Sequence, residues 1–194
     1  MSKKLSEMSN EELWKLFPII LKEHNSEWAD WYNSEEKLLY EIIGKGNIIR
    51  INHIGSTSVN GLLAKPTVDI LLEIADDFDV DELVGILKQY GYICMTEQSR
   101  NPLDLTLVKG YTESGFAKKV FHLHIRYFGD WNELYFRDYL RINKDVANKY
   151  GNLKIRLKEQ YEYNRDAYTN AKSEFISKYT DIARSMFGGR YIHV

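Results

Sequence analysis

The alternation of apolar and polar residues divides the chain into helical and extended stretches, with turn residues at the switches. Ser9 or Asn10 caps a short helix through Phe17, with Glu11 and Glu12 in its first turn, and Pro18 ends it. Ile19 to His24 reads as extended. Ser26 then caps a helix to Ile43, where Trp28, Trp31, Leu38, Leu39, Ile42 and Ile43 recur at helical spacing and Gly44 is the stop. That spacing favours core packing for the tryptophan pair over a stacking platform for bases. β-Branched Ile48, Ile49 and Ile51 open a strand. A small-residue loop follows, Gly55-Ser-Thr-Ser58, and Pro66 precedes a second strand, Thr67 to Ile74. Its period of two puts Val68, Ile70, Leu72 and Ile74 on one face and Asp69, Leu71 and Glu73 on the other.

Beyond Asp76, Asp77 and Asp79, whose carboxylates suit a helix N-terminus rather than a calcium loop, Val80, Leu83, Val84 and Leu87 mark a third helix closed by Gly91. Strands are expected at Tyr92 to Met95 and Leu103 to Lys109, then a loop at Gly110 to Gly115, then a strand across Lys119 to Phe128. In that last strand Phe121, Leu123, Ile125 and Tyr127 share one face, and His122, His124 and Arg126 share the other. From Asp130 the pattern is helical: Trp131 to Arg141, then Asn143 as N-cap of a run through Gln160, then Arg165 to Phe187, stopped by Gly188-Gly189. The expected architecture is an α+β domain spanning residues 1–194, with 130–187 mainly helical.

Two stretches carry chemistry. In the first, glycine at Gly55 lets backbone N–H groups approach phosphate oxygens, Ser56, Thr57 and Ser58 add hydroxyls, and Lys65 is a counter-charge. The same residues also suit a plain polar connection between strands. In the second, imidazoles at i and i+2 on a strand can ligate a metal or contact phosphate, with Arg126 beside them. If the Asp69 strand lies next to the histidine strand, both polar faces line one cleft. His24 and His193 lie apart from this set.

Composition narrows the classes. Hydrophobic residues are 44% and charged residues 28% of 194, which suits a globular protein with a real core. A formal net charge of −2 gives no support to bulk nucleic-acid binding or to an anionic membrane, and acidic residues offset the Tyr/Lys/Arg pattern of the C-terminal helices. The single cysteine, Cys94, lies in an apolar run and reads as a buried small hydrophobe. No run reaches membrane-spanning length and the polar N-terminus lacks a signal-peptide core, so a cytoplasmic home is expected.

His53-Ile-Gly-Ser-Thr-Ser-Val, Gly61-Leu, Ala64-Lys-Pro and Asp69-Ile-Leu together resemble the signature of the GrpB family. Phe121-His-Leu-His-Ile, Phe136-Arg-Asp-Tyr-Leu-Arg, Tyr150-Gly-Asn-Leu-Lys and the closing Tyr168, Lys172, Ile176 pattern are similar to the rest of it. The resemblance implies a nucleotidyltransferase-like fold: a mixed β-sheet with flanking helices and a helical C-terminal part. It also implies transfer of a nucleotidyl group from a nucleoside triphosphate to a small-molecule or protein hydroxyl. Active members of that superfamily hold two magnesium ions on an Asp-x-Asp strand and a third carboxylate. Here Asp69 matches the first position, Leu71 stands at the second, and Asn60 replaces a usual proline.

Three readings stay open. One is catalysis by Asp69, His122 and His124, with a divalent metal (magnesium, manganese or zinc) on Asp69, Glu73, His122 and His124. In it Gly55, Ser56, Thr57, Ser58, Lys65 and Arg126 would take the nucleotide phosphates. Another is a non-catalytic module for a nucleotide or phosphorylated small molecule, a role suggested by family members fused to a coenzyme A biosynthesis kinase. The third is a metal-dependent enzyme of another type, built on Asp69, His122 and His124 as a two-histidine, one-carboxylate set.

Overall fold

The structure is a computed structural model that describes residues 3–100 and 102–192. Helices α1 (Asn10–Leu16) and α2 (Glu27–Ile43) precede strands β1 (Ile48–Ile54) and β2 (Val68–Ile74). Helix α3 (Val80–Gln89) leads to β3 (Ile93–Arg100), β4 (Leu103–Thr112) and β5 (Gly115–Tyr127). Helices α4 (Asn132–Ile142), α5 (Lys144–Tyr161), α6 (Arg165–Asn170) and α7 (Ser173–Phe187) follow. The strands form one five-stranded mixed sheet in the order β1-β2-β5-β4-β3. Only β2 and β5 run parallel; the other pairs are antiparallel.

Local signals account for most boundaries. Ser9 caps α1 by accepting from the Glu12 N–H, while the Glu12 side chain accepts from the Ser9 N–H. Asp79 caps α3 by accepting from the N–H groups of Asp81 and Glu82. At α2 the cap is Asn25 rather than Ser26: the Asn25 side chain accepts from the Glu27 N–H at 3.0 Å. Asn143 caps no N-terminus with its side chain and instead donates to the Tyr139 carbonyl at the end of α4. The expected 110–115 loop is mostly strand, because Tyr111 pairs with Phe116 and Thr112 with Gly115. The expected helix over 165–187 is two helices, broken at Ala171 and Lys172. The extended 19–24 segment bonds Lys22 to Ala64 in both directions.

Both faces of the sheet are covered, and this changes the reading of β2. Val68, Ile70, Leu72 and Ile74 pack with Trp28, Leu39, Leu83 and Leu87 in the main core beneath α2 and α3. On the opposite face Leu71 is wholly buried with Ile54 and Leu134, Trp131 and Tyr191 packing around them. Cys94, expected to be buried, is exposed, because β3 is an outer strand whose residues are mostly exposed. Among the described residues no helix is long and apolar enough to cross a membrane.

Glu73 is fully buried on the same face as Leu71 and is not free to ligate a metal. It accepts two hydrogen bonds from Arg50, at 2.5 and 2.7 Å, and one from the Gly129 N–H at 3.0 Å. Arg50 also donates to the Gly129 carbonyl at 2.7 Å, so one ion pair ties β1 and β2 to the turn that enters α4. Removing only the cation strands a buried carboxylate. Arg50→Met is expected to cost about 3 kcal/mol or more in urea unfolding, and Arg50→Met/Glu73→Leu to recover part of that loss. A loss below about 1 kcal/mol in the single variant would show that the pair contributes little.

Candidate functional site

The β2–β5 register places Asp69 opposite His122 and Leu71 opposite His124. Since period two keeps Asp69, His122 and His124 on one face, the three side chains converge. His122 Nδ1 lies 3.1 Å from Asp69 Oδ1 and His124 Nε2 lies 3.7 Å from it. One ligand atom from each residue falls within 4.8 Å of the others. Donors about 2.1 Å from a common metal sit roughly 3–4 Å apart, so small side-chain adjustments suffice.

The outer nitrogens are also engaged. Tyr111 Oη is 2.8 Å from His122 Nε2, and Thr106 Oγ1 is 3.2 Å from His124 Nδ1. Such hydroxyls orient the imidazoles, and by accepting from the outer nitrogen they would let the inward nitrogen, whose N–H on His122 bonds Asp69, give up that proton to ligate a metal. Burial pushes His122 down to about 4 despite Asp69, so the ring is neutral at pH 7. Burial alone would raise Asp69, but hydrogen bonding from His122 and the approach of His124 hold it well below the usual carboxylate range.

Gly55 has φ 67°, and a Cβ there would sit 2.9 Å from Asp69 Cγ and closer still to Oδ2. The glycine is required because the Asp69 carboxylate fills the space a side chain would take. Its loop neighbours divide. Ser56 Oγ accepts from Lys154 Nζ at 2.9 Å and meets Tyr150. Thr57 is buried, donating to the Thr67 carbonyl and meeting His53 Nε2, and Ser58 donates to the Gly55 carbonyl. Thr57 and Ser58 therefore build the turn and are not offered to a phosphate, contrary to the sequence expectation. Arg126 is likewise spent, paired with Asp104 at 2.9 Å and donating to the Leu105 and Ile125 carbonyls. His24 stands edge-on to Trp28, outside the set, and His193 lies outside the described residues.

Sequence reasoning named only Lys65 among the four basic residues gathered here. Lys154 of α5 is buried and donates to Ser56 and to the Leu63 carbonyl. Lys172, at the break between α6 and α7, lies over the Tyr168 ring at 4.4 Å, and Lys65 faces the same ring at 6.0 Å. Burial and mutual repulsion push Lys65 and Lys154 down to about 7 and Lys172 to about 8, with Asp69 opposing each shift. Arg165 adds to the field at Lys65, Lys172 and His122. Among the described residues none of these four cations is in an ion pair. The Tyr168 hydroxyl, also buried, has no hydrogen-bond partner among the described residues. Lys154 and Lys172 were visible in the sequence only as members of the family pattern.

The chain matches the profile described as GrpB protein over residues 18–181. It is 35% identical over 165 residues to the glutamate-rich protein GrpB of Alkalihalophilus pseudofirmus, covering 82% of this chain and 92% of that one. It is 31% identical over 170 residues to the UPF0157 protein YqkA of Bacillus subtilis, covering 86% of this chain but only 48% of that longer relative. Its structure resembles the crystal structure of the conserved protein GrpB from Enterococcus faecalis, with a TM-score of 0.75 and 32% identity. That match covers 87% of this chain and 99% of the other.

Two outcomes are expected from this geometry. Placing a carboxylate at the Asp-x-Asp position with Leu71→Asp is expected to cost about 3 kcal/mol or more, since the side chain is enclosed by Ile54 and Leu134. Thermal unfolding with and without magnesium checks it, and a stable variant that gains magnesium affinity would refute the expectation. The lysines set a pH dependence. Their folded values lie below the unfolded value of about 10.4, so between about 7 and 10 the unfolded chain binds more protons. Stability is therefore expected to rise with pH across that window, and Lys154→Met to flatten the slope. A stability that falls from pH 7 to 9.5 in urea titrations would contradict this.

Proposed function

Because the chain belongs to the GrpB family, and because residues of its Gly55 loop, the β2–β5 strands and the C-terminal helices meet in one place, we propose that this site binds a phosphorylated ligand together with one divalent transition metal. The observation that carries the reading is the excess of cationic side chains, Lys65, Lys154, Lys172 and Arg165, around the single carboxylate Asp69. Holding cations there without an anion is costly, and the lysines respond by shedding protons. A phosphate group returns those protons and supplies the missing charge. Asp69, His122 and His124 would hold the metal, and imidazole donors favour zinc, manganese or iron over magnesium. Three protein ligands leave positions for a phosphate oxygen or water, and the metal when bound supplies Lewis-acid polarisation there.

The reaction that best fits is nucleotidyl transfer to a hydroxyl, with the lysines and Ser56 taking the place of the second metal ion and its carboxylates. In that role the chain's own residues neutralise the phosphate oxygens and orient the leaving pyrophosphate. A second reading, a phosphometabolite-binding module without transfer, is favoured by the burial of Leu71 where a metal-binding carboxylate would be needed.

Calorimetry at neutral pH is expected to give manganese or zinc affinity above that for magnesium. Asp69→Asn and His124→Ala should each reduce it by about a hundredfold or more, while His24→Ala leaves it unchanged. Absence of zinc and manganese binding, alone or with a nucleoside triphosphate, would remove the metal site. Pyrophosphate release that depends on Asp69 and Lys154 separates transfer from mere binding.

A further inference from the structure

An apolar cavity of about 800 Å³ lies beside the Asp69 cluster. Helix α1 and the 17–22 segment roof it against the β4–β5 hairpin. Its wall is rich in rings: Trp14, Trp28, Trp31, Phe17, Tyr111 and Phe116. Phe17 packs on Tyr111 at 4.7 Å and on Phe116 at 5.0 Å, so the roof is fixed by aromatic contacts.

Asp69, His122 and His124 do not line this cavity, yet it ends against their neighbours. Lys65, Thr67, Tyr111 and Arg165 all belong to its wall. Thr67 is two residues before Asp69 on the chain. The Tyr111 hydroxyl bonds His122. Lys65 and Arg165 act electrostatically on His122 from the cavity side. The cavity thus has an aromatic interior, with Glu27, Lys22, Lys118 and Asp166 also on its wall, and Lys65 and Arg165 mark where it meets the proposed phosphate site.

We propose that this cavity takes the organic body of the phosphorylated ligand, and that the ligand class is a phosphate ester carrying a flat aromatic group. The proposal rests on the reading of the site as a phosphate site. Cavities of about 300–1,000 Å³ enclose molecules of that size, and this one is far larger than a phosphate alone requires. Charge complementarity fixes the orientation: the phosphate lies at Lys65 and Arg165, and the ring system points toward Trp14 and Phe116. An uncharged aromatic molecule would leave Lys65 and Arg165 unanswered, and inorganic polyphosphate would leave the aromatic wall wet.

The test is calorimetry on the full chain with manganese present, using inorganic phosphate, 1-naphthyl phosphate and 1-naphthol as probes. 1-Naphthyl phosphate is expected to bind about tenfold or more tightly than either of the others. Trp14→Ala and Phe116→Ala, at partly exposed positions, should remove most of that advantage while leaving inorganic phosphate unchanged. Lys172→Ala should weaken both phosphates. Equal affinity for inorganic phosphate and 1-naphthyl phosphate overturns the cavity assignment but leaves the phosphate site standing. So does an advantage that survives both aromatic variants. Equal binding of 1-naphthol and 1-naphthyl phosphate also overturns the assignment. If neither phosphate binds, both readings fail together.

Discussion

The parallel pairing of β2 with β5 is the constraint on which the rest depends. A parallel neighbour fixes Asp69 against His122 residue for residue, so the cluster exists wherever that ladder forms. A one-residue slip of β2 against β5 would turn Asp69 to the opposite face from His122 and His124. The hydrophobic core beneath α2 and α3 opposes that slip, because it requires Ile70, Leu72, Leu123 and Ile125 on its own side. Packing on one face of the sheet therefore sets chemistry on the other.

The site's electrostatics follow from what surrounds the ladder. Gly55 leaves room for the Asp69 carboxylate, and the helices that close over it bring Lys154 and Lys172. The face is not polar throughout. Leu71 belongs to a sealed apolar cluster, and Glu73 is consumed by Arg50. Between them these residues confine the open polar surface to the Asp69 end of the strand. The other charged groups gathered round Asp69 are basic, so the charge of the site is opposite to that of a carboxylate cluster.

The sequence made much of this legible, and the failures share a cause. Periodicity placed His122 and His124 on one face of their strand and Asp69 on the polar face of its own, because strand period is a local property; that the two strands are neighbours comes from the sheet order. Periodicity could not supply the partner of a charged residue. Arg126 and Glu73 looked free along their own strands, while Asp104 and Arg50 wait on the neighbouring ones. Cys94 was misplaced for a similar reason, since a short apolar run does not reveal that its strand lies at the sheet edge. The lysines of the C-terminal helices read as part of a pattern that acidic residues offset. Only tertiary closure turns Lys154 inward, and amphipathic spacing alone cannot say which basic residue will be enclosed.

Tyr111 has one more consequence. Its ring is wall to the aromatic cavity, while its hydroxyl fixes the orientation of His122. Two occupants that share such a residue are not independent. If filling the cavity tightens that hydroxyl's hold on the imidazole, metal affinity rises, and by thermodynamic reciprocity the metal then tightens the cavity's occupant by the same factor. In that case a single phenol would let the two compartments read each other's state without any movement of the backbone.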